Sequence, residues 1–375
     1  MKKIENVLLF LTLLFLPTQL GRHFWPDFSY IYSLKIDYLS PTLYFWDILV
    51  IGLLILFFLQ KPKINKLALN ILLFFLLSQA LSLFGAKNTG AGLVRLEQYA
   101  IAGLFGVYLA SNKIQDTRYK LFVPLTLGVL FESGLAILQF LKGGTLGFWI
   151  LGERTFSIST PGIAKFNFQG LEFLRPYGTF PHPNVLAGYM LIIMLLIRSK
   201  KTFIGLVTII LTMSRVVILV GLAGLFILQK KNIKIIMIIM IILSPILFTR
   251  FSSLFSYDNL TILRREELFI SSWNLFLKNP IFGVGLNNFI SDQQDLVTGP
   301  SRFLQPVHNI FLLALSETGI IGLIGLISLF SFTRHYILYP ILFLGLFDHY
   351  FLTLPQGYRL LFLVWGLSFL NLKLK

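Results

Sequence analysis

The chain has 375 residues, of which 56% are apolar and only 13% charged, with 38 phenylalanines and a formal net charge of +16. A soluble domain carries about 25% charged residues, so this composition excludes a water-soluble globule of its size. The absence of cysteine excludes disulfides and thiolate metal sites, but says nothing of the compartment.

The apolar runs are long and repeated, as expected of bilayer-spanning helices that need roughly 20 residues each. In chain order, spans are expected at 5–20, 43–59, 66–84, 96–111, 120–141 and 183–197. They continue at 202–213, 215–229, 233–249, 307–331, 336–350 and 357–371. The first stretch lacks a small-residue cleavage site and runs into an aromatic segment, so it is read as a span and not as a signal peptide. The fold class expected is an all-α integral membrane protein of about twelve transmembrane helices, forming one polytopic domain over 1–375.

Lys201–Gln229 is ambiguous: one long tilted helix, or two short ones turning at Ser214-Arg215. Charge asymmetry decides between them, because cytoplasmic loops carry an excess of Lys and Arg. With a break at Ser214, one side collects Lys61, Lys63 and Lys66, then Lys113, Arg118 and Lys120. The same side collects Arg198, Lys200 and Lys201, then Lys230, Lys231 and Lys234, with Lys2, Lys3, Arg334, Lys373 and Lys375. Without the break the pattern fails. Both termini are therefore expected in the cytoplasm, and Arg215 at or near the outer surface.

The long polar loops 21–42, 142–182 and 250–306 then all fall outside. Loops of this length are usually functional or disordered. The last carries an amphipathic helix over Thr261–Lys278, between the ninth and tenth spans. Ile262, Leu263, Phe269, Ile270, Trp273, Phe276 and Leu277 share one arc, Arg265 lies at its edge and Arg264 on the polar side. Pro280 and the Gly283/Gly285 pair end the helix and turn the chain. Such a helix suits the membrane surface above the bundle.

Several external groups can carry chemistry, each with a plainer alternative. His308 begins an apolar helix and titrates near neutrality, so it is either a proton acceptor or a helix cap. Arg264 and Arg265 either bind phosphate oxygens or pair with Glu266, Glu267 or anionic headgroups. Arg215, flanked by apolar runs, costs several kcal/mol unless it snorkels, pairs or faces a wet cavity. In RPYGTFPHPNVLAGY (175–189), Arg175 and His182 either contact substrate or shape a turn, and Asn184 can cap the following span. Glu317, Glu132 and Asp47 need a partner or a proton within the apolar runs, and no role is assigned to them. Arginines and a histidine on one face suit a diphosphate leaving group and an acceptor hydroxyl.

Four segments in order carry a resemblance: RPYGTFPHPNVLAGY (175–189), LTMSRVVILVG (211–221), RREELFISSWNLFLKNPIFGVGLNNF (264–289) and HNIFLLALSETGIIG (308–322). Together, over about 175–322, they resemble the O-antigen ligase and polymerase family of bacterial inner-membrane glycosyltransferases. The resemblance implies transfer of a glycan from an undecaprenyl diphosphate carrier to a glycan or lipid acceptor, outside the cytoplasmic membrane. It implies an inverting reaction without metal or cofactor. Arg215 matches the family arginine after the serine, and Arg265 the loop arginine before Pro280, both holding the diphosphate. His308 matches the histidine of the HN motif as base or acceptor-orienting group; Arg264 neighbours a matched position, and Asn309 is a candidate substrate contact. The segments are shared by ligases that build lipopolysaccharide and by polymerases that join repeat units. A transporter or flippase of lipid-linked oligosaccharide is the alternative of another class; it predicts inverted repeats and helices broken at mid-membrane. The partners expected are the lipid-linked donor, the acceptor and membrane lipids, without nucleic acid.

Overall fold

The computed structural model describes residues 2–111, 118–228, 244–245, 248, 251–252, 260–293, 304–332 and 336–370. Nearly all of the expected span 233–249 lies outside the described residues, as do Lys113, Lys230, Lys231, Lys234, Arg334, Lys373 and Lys375. The described chain is mostly helical. Among the described residues, Lys66–Gly85, Lys120–Lys142 and Ile310–Ser331 are long and apolar enough to cross a membrane. Shorter apolar helices include Phe45–Leu59, Pro183–Ile197 and Arg215–Gly224.

Two compact units form, one from Met1–Leu16, Leu20–Leu121 and Arg264–Lys375, the other from Pro17–Gln19 and Phe122–Leu263. The first contains helices α1 (Lys2–Leu14), α2 (Phe45–Leu59), α3 (Lys66–Leu81) and α4 (Thr89–Ser111). Helix α5 (Arg118–Lys142) begins at its edge and belongs mainly to the second unit, with α6 (Pro183–Ile197), α7 (Ile204–Leu211) and α8 (Arg215–Leu228). Most of α9 (Leu260–Lys278) returns to the first unit, followed by α10 (Phe289–Gln293) and α11 (Ile310–Ser331). That unit closes with α12 (Leu338–Gly345), α13 (Tyr350–Thr353) and α14 (Pro355–Ser368). The polar loops 21–42 and 142–182 also hold short antiparallel pairs. These are β1 (Gly21–His23) with β4 (Thr42–Tyr44), β2 (Tyr30–Ile31) with β3 (Leu34–Lys35), and β5 (Lys165–Phe168) with β6 (Leu171–Leu174).

In the first unit, α14 packs on α4, and α3 packs on α4 and α11. Close helix approach needs small residues where backbones meet. A Cβ at Gly366 would stand 2.3 Å from the Gly106 carbonyl oxygen, so this contact admits only glycine. Phe75, Tyr99, Tyr358 and Phe362 form a ring cluster between these helices. A buried charge in apolar surroundings needs an opposite partner. Arg359 is fully buried, 3.6 Å from Asp47 Oδ1, and lies over the Tyr44 and Trp46 rings. Asp47 also accepts from the Tyr44 backbone N–H, capping α2.

The second unit is organised around polar side chains on α5. Gln139 accepts from the backbone N–H groups of Tyr177 and Gly178, and Glu132 accepts from the backbone N–H and hydroxyl of Thr179. The prolyl turn ahead of α6 is thereby fixed from below. Helices α7 and α8 both pack on α6. Helix α7 ends at Leu211, Met213 takes a left-handed φ of 50°, and α8 starts at Arg215. The interruption expected at Ser214-Arg215 is present.

The run 307–331, expected as a span, is long and apolar enough to cross a membrane over Ile310–Ser331, but it carries an interruption that was not expected. Helix α11 is interrupted at Gly319, whose φ of 65° and ψ of −165° are not helical. The freed backbone is satisfied by the chain after α9: Ile320 N–H donates to the Pro280 carbonyl and Gly285 N–H to the Glu317 carbonyl. A helix interrupted in this way is tolerated in a bundle only where neighbouring backbone takes up the lost bonds. Glu317 itself accepts from the Phe289 N–H, at the start of α10. Helix α9 forms where the amphipathic helix was expected. Its buried side chains include Leu268, Ser271, Ser272 and Leu275, whereas Ile262, Leu263, Phe269, Ile270, Trp273 and Leu277 are exposed. Two leucines and two serines face the protein, where Ser272 donates to the Leu312 carbonyl, and the exposed apolar arc suits an apolar surrounding.

Candidate functional site

The site is built where α11 begins. Asn309, with extended backbone, is the N-cap: its side-chain oxygen accepts from Phe311 and Leu312 N–H at 2.9 and 3.0 Å. Its amide donates to the Leu346 carbonyl at 3.2 Å, which ties the helix start to the end of α12. The capping function therefore belongs to Asn309 and not to His308. His308 precedes the span and occupies the centre of a tight turn closed by Asn309 N–H on the Val307 carbonyl at 2.8 Å. Its ring is released from any structural duty at the helix end, and its buried Nδ1 has no hydrogen-bond partner among the described residues.

Such an orphan is uncommon, because buried polar atoms are normally satisfied. Burial pulls the His308 pKa below the ordinary 6.5, the Asp348 carboxylate opposes that, and Arg265 adds to it. The net direction is downward, so the imidazole is neutral near pH 7 and able to take a proton. Arg264 and Arg265 are both half-buried on α9. Arg265 acts on His308 electrostatically, which joins these two expected residues in one unit.

Two further residues stand beside His308 that the sequence did not mark. His349 presents its ring edge-on, with centroids 5.0 Å apart. One nitrogen or oxygen from each of His308, Asp348 and His349 lies within 4.8 Å of the others, a set able to hold a metal ion. The Asp348 carboxylate accepts from the His349 N–H at 2.9 Å. His349 Nδ1 meets Thr353 Oγ1 at 2.6 Å, and the Thr353 carbonyl accepts from buried Arg95 at 2.8 Å. The available signal was the acid–histidine doublet at the end of the apolar run 336–350.

In the second unit, Arg175 is buried and donates through Nε to the Thr212 carbonyl at 2.5 Å and through Nη2 to Asn184 Oδ1 at 2.7 Å. It thereby fixes the α7–α8 interruption directly before half-buried Arg215. His182, and not Asn184, caps α6, its Nδ1 accepting from the Asn184 N–H at 3.1 Å. Arg175 and His182 thus have structural partners in addition to their proposed contact with substrate.

Among the described residues three helices are long and apolar enough to cross a membrane, and the segment from α6 to α11 is the part that can be compared with known families. Residues 185–327 match the family model described as O-Antigen ligase. The match covers well under half of the chain, and it shows that segment to be similar to the O-antigen ligase family. The matched region contains Arg215, Arg264, Arg265, His308 and Asn309; Arg175, His182, Asp348 and His349 lie outside it. No curated protein matches the chain.

Proposed function

We propose that the protein is a membrane glycosyltransferase of the O-antigen ligase type. It moves a glycan from an undecaprenyl diphosphate carrier to an acceptor at the external face of the bacterial cytoplasmic membrane. The observation that carries this reading is His308: a half-buried, neutral imidazole whose buried Nδ1 has no hydrogen-bond partner among the described residues, within the electrostatic reach of Arg265 and inside the family-matched segment. His308 takes the proton of the acceptor hydroxyl as its oxygen attacks the anomeric carbon. The bond from that carbon to the carrier diphosphate breaks on the opposite side, which inverts the centre. Arg265 and Arg215, and Arg264 next to Arg265 in sequence, are assigned to holding the diphosphate and stabilising the charge it gathers, in a reaction that needs no metal. Arg175, His182 and Asn309 are proposed substrate contacts. About twelve spans with both termini in the cytoplasm put the three long loops, and this chemistry, outside.

A polymerase that joins repeat units on the same carrier uses the same groups. The transporter reading gains one specific observation, the interrupted helix at Gly319. It gives no reason for an unpartnered histidine beside an arginine. Purified protein incubated with defined glycan-diphosphate lipid and candidate acceptors separates all three. Glycan on a distinct acceptor means ligase, a lengthened lipid-linked chain means polymerase, and translocation across vesicles without new bonds means transporter.

A further inference from the structure

We propose that His308, Asp348 and His349 form a binding site for a divalent transition-metal ion of the Zn2+ class. Occupancy of this site would switch off glycan transfer by engaging the ring nitrogen that serves as base. The second clause rests on the proposed role of His308; the first does not.

Two imidazoles and one carboxylate are a donor set that suits Zn2+ and its neighbours, whereas Mg2+ and Ca2+ prefer all-oxygen cages. A tetrahedral Zn2+ with bonds of about 2.0 Å sets its donor atoms roughly 3.3 Å apart. The three donor atoms lie within 4.8 Å of one another, so closing on an ion asks for a contraction of only about 1.5 Å. Two observations beyond the grouping point to a ligand. His308 Nδ1 is buried without a partner among the described residues, an atom whose missing contact a metal would supply.

Ligating histidines are commonly oriented by a hydrogen bond from outside the metal's own ligands. His349 has such a bond, with Thr353 held in turn by Arg95. Arg265 opposes a cation nearby, and the Asp348 carboxylate offsets it. Three protein donors leave a fourth position for water, as in sites that stay open to exchange.

The test uses full-length protein in lipid nanodiscs at neutral pH, titrated with Co2+ and followed by visible absorption. A tetrahedral ion gives an intense band that Zn2+ then displaces, with one equivalent bound. His349→Gln and Asp348→Asn should each weaken binding by at least about tenfold. Thr353→Val, which leaves all three donors in place, should weaken it by roughly tenfold. Unchanged helical circular dichroism and a monodisperse elution exclude misfolding as the cause. No band, or the same band in His349→Gln, overturns the site. Transfer assays form a separate arm: Zn2+ should inhibit wild type reversibly to chelator, and His349→Gln less, each relative to its own metal-free rate. Binding without inhibition removes the switch and leaves the site. A protein that transfers no glycan yet binds Co2+ refutes the glycosyltransferase reading alone.

Discussion

His308 and His349 meet edge to face, with ring centroids 5.0 Å apart and planes at 73°. The two rings come from different elements, one ahead of α11 and one ahead of α13, and Asp348 stands beside both. A base in this setting has its proton affinity set by opposing neighbours, and each neighbour can be removed separately.

The pH profile of transfer follows from that opposition. His308 acts in its neutral form, and its pKa lies below the ordinary 6.5 chiefly because of burial. As pH falls through about 6.5 the wild-type rate should therefore hold, declining only at lower pH. Asp348 raises the pKa, so Asp348→Asn should move the acid limb further down. Arg265 lowers it, so Arg265→Gln should move the limb up. His308→Ala should abolish transfer while the protein still inserts. Measurement of kcat/KM between pH 5 and 8 checks the signs, and identical limbs in both variants would remove His308 as the titrating base.

Gly319→Ala should destabilise the fold. Gly319 has a φ of 65°, and a Cβ there would stand 2.2 Å from the Ile281 carbonyl oxygen. A non-glycine residue in such a conformation costs about 1–3 kcal/mol before the clash is counted. Thermal unfolding in detergent should show a clearly lowered midpoint, with Gly322 unsuited as a control because it too is tightly packed. Gly134, with nothing within 4 Å of its Cβ position, is the proper control, and Gly134→Ala should be close to neutral. Equal midpoints for the two variants would mean that the interruption adds nothing to stability.

The sequence made the membrane class and most helix positions legible because both rest on local apolar runs. The expected span at 183–197 coincides with α6, and the interruption at Ser214 follows from charge placement alone. The break at Gly319 was not legible, because its cause lies elsewhere in the chain, in Pro280–Gly285 supplying the lost hydrogen bonds. His308 was visible by its place at a helix start. Its neighbours Asp348 and His349 were hidden inside an apolar run some forty residues away, joined only by tertiary packing. The apolar arc of α9 was legible from periodicity, whereas the side chains that pack inward, Ser271 and Ser272 among them, follow from tertiary contacts.

Side assignment is open to a direct test on exposed positions. Ser214 is buried, which makes it a poor labelling site despite its place in the topology argument. Ser159, in the loop 142–182, and Lys201, ahead of α7, are both exposed. In intact spheroplasts, Ser159→Cys should react with a membrane-impermeant maleimide and Lys201→Cys should not until the membrane is opened. Helix α7 makes this informative, since its eight residues rise only about 12 Å. The reverse pattern would turn the proposed external face inward.

The arginines divide into two predictions with different readouts. Arg175 holds the Thr212 carbonyl and the Asn184 side chain, both on the second unit's own framework. Arg175→Ala leaves those acceptors unsatisfied, at a cost of about 1–3 kcal/mol for each buried one, so its main effect should be a lower unfolding midpoint. Asn184→Ala removes one of the same bonds and should lower the midpoint less. Arg265 is half-buried and is proposed to hold donor diphosphate. A lost charge-assisted hydrogen bond of about 1.5–3 kcal/mol corresponds to roughly tenfold or more in affinity. Arg265→Ala and Arg215→Ala should therefore raise KM for the lipid-linked donor by about that factor, with little change in melting. Lysine at either position keeps the charge but not the planar fork, so it should restore part of the donor affinity. A normal donor KM in Arg265→Ala would take that residue out of the diphosphate site, and a normal midpoint in Arg175→Ala would make its role one of substrate contact.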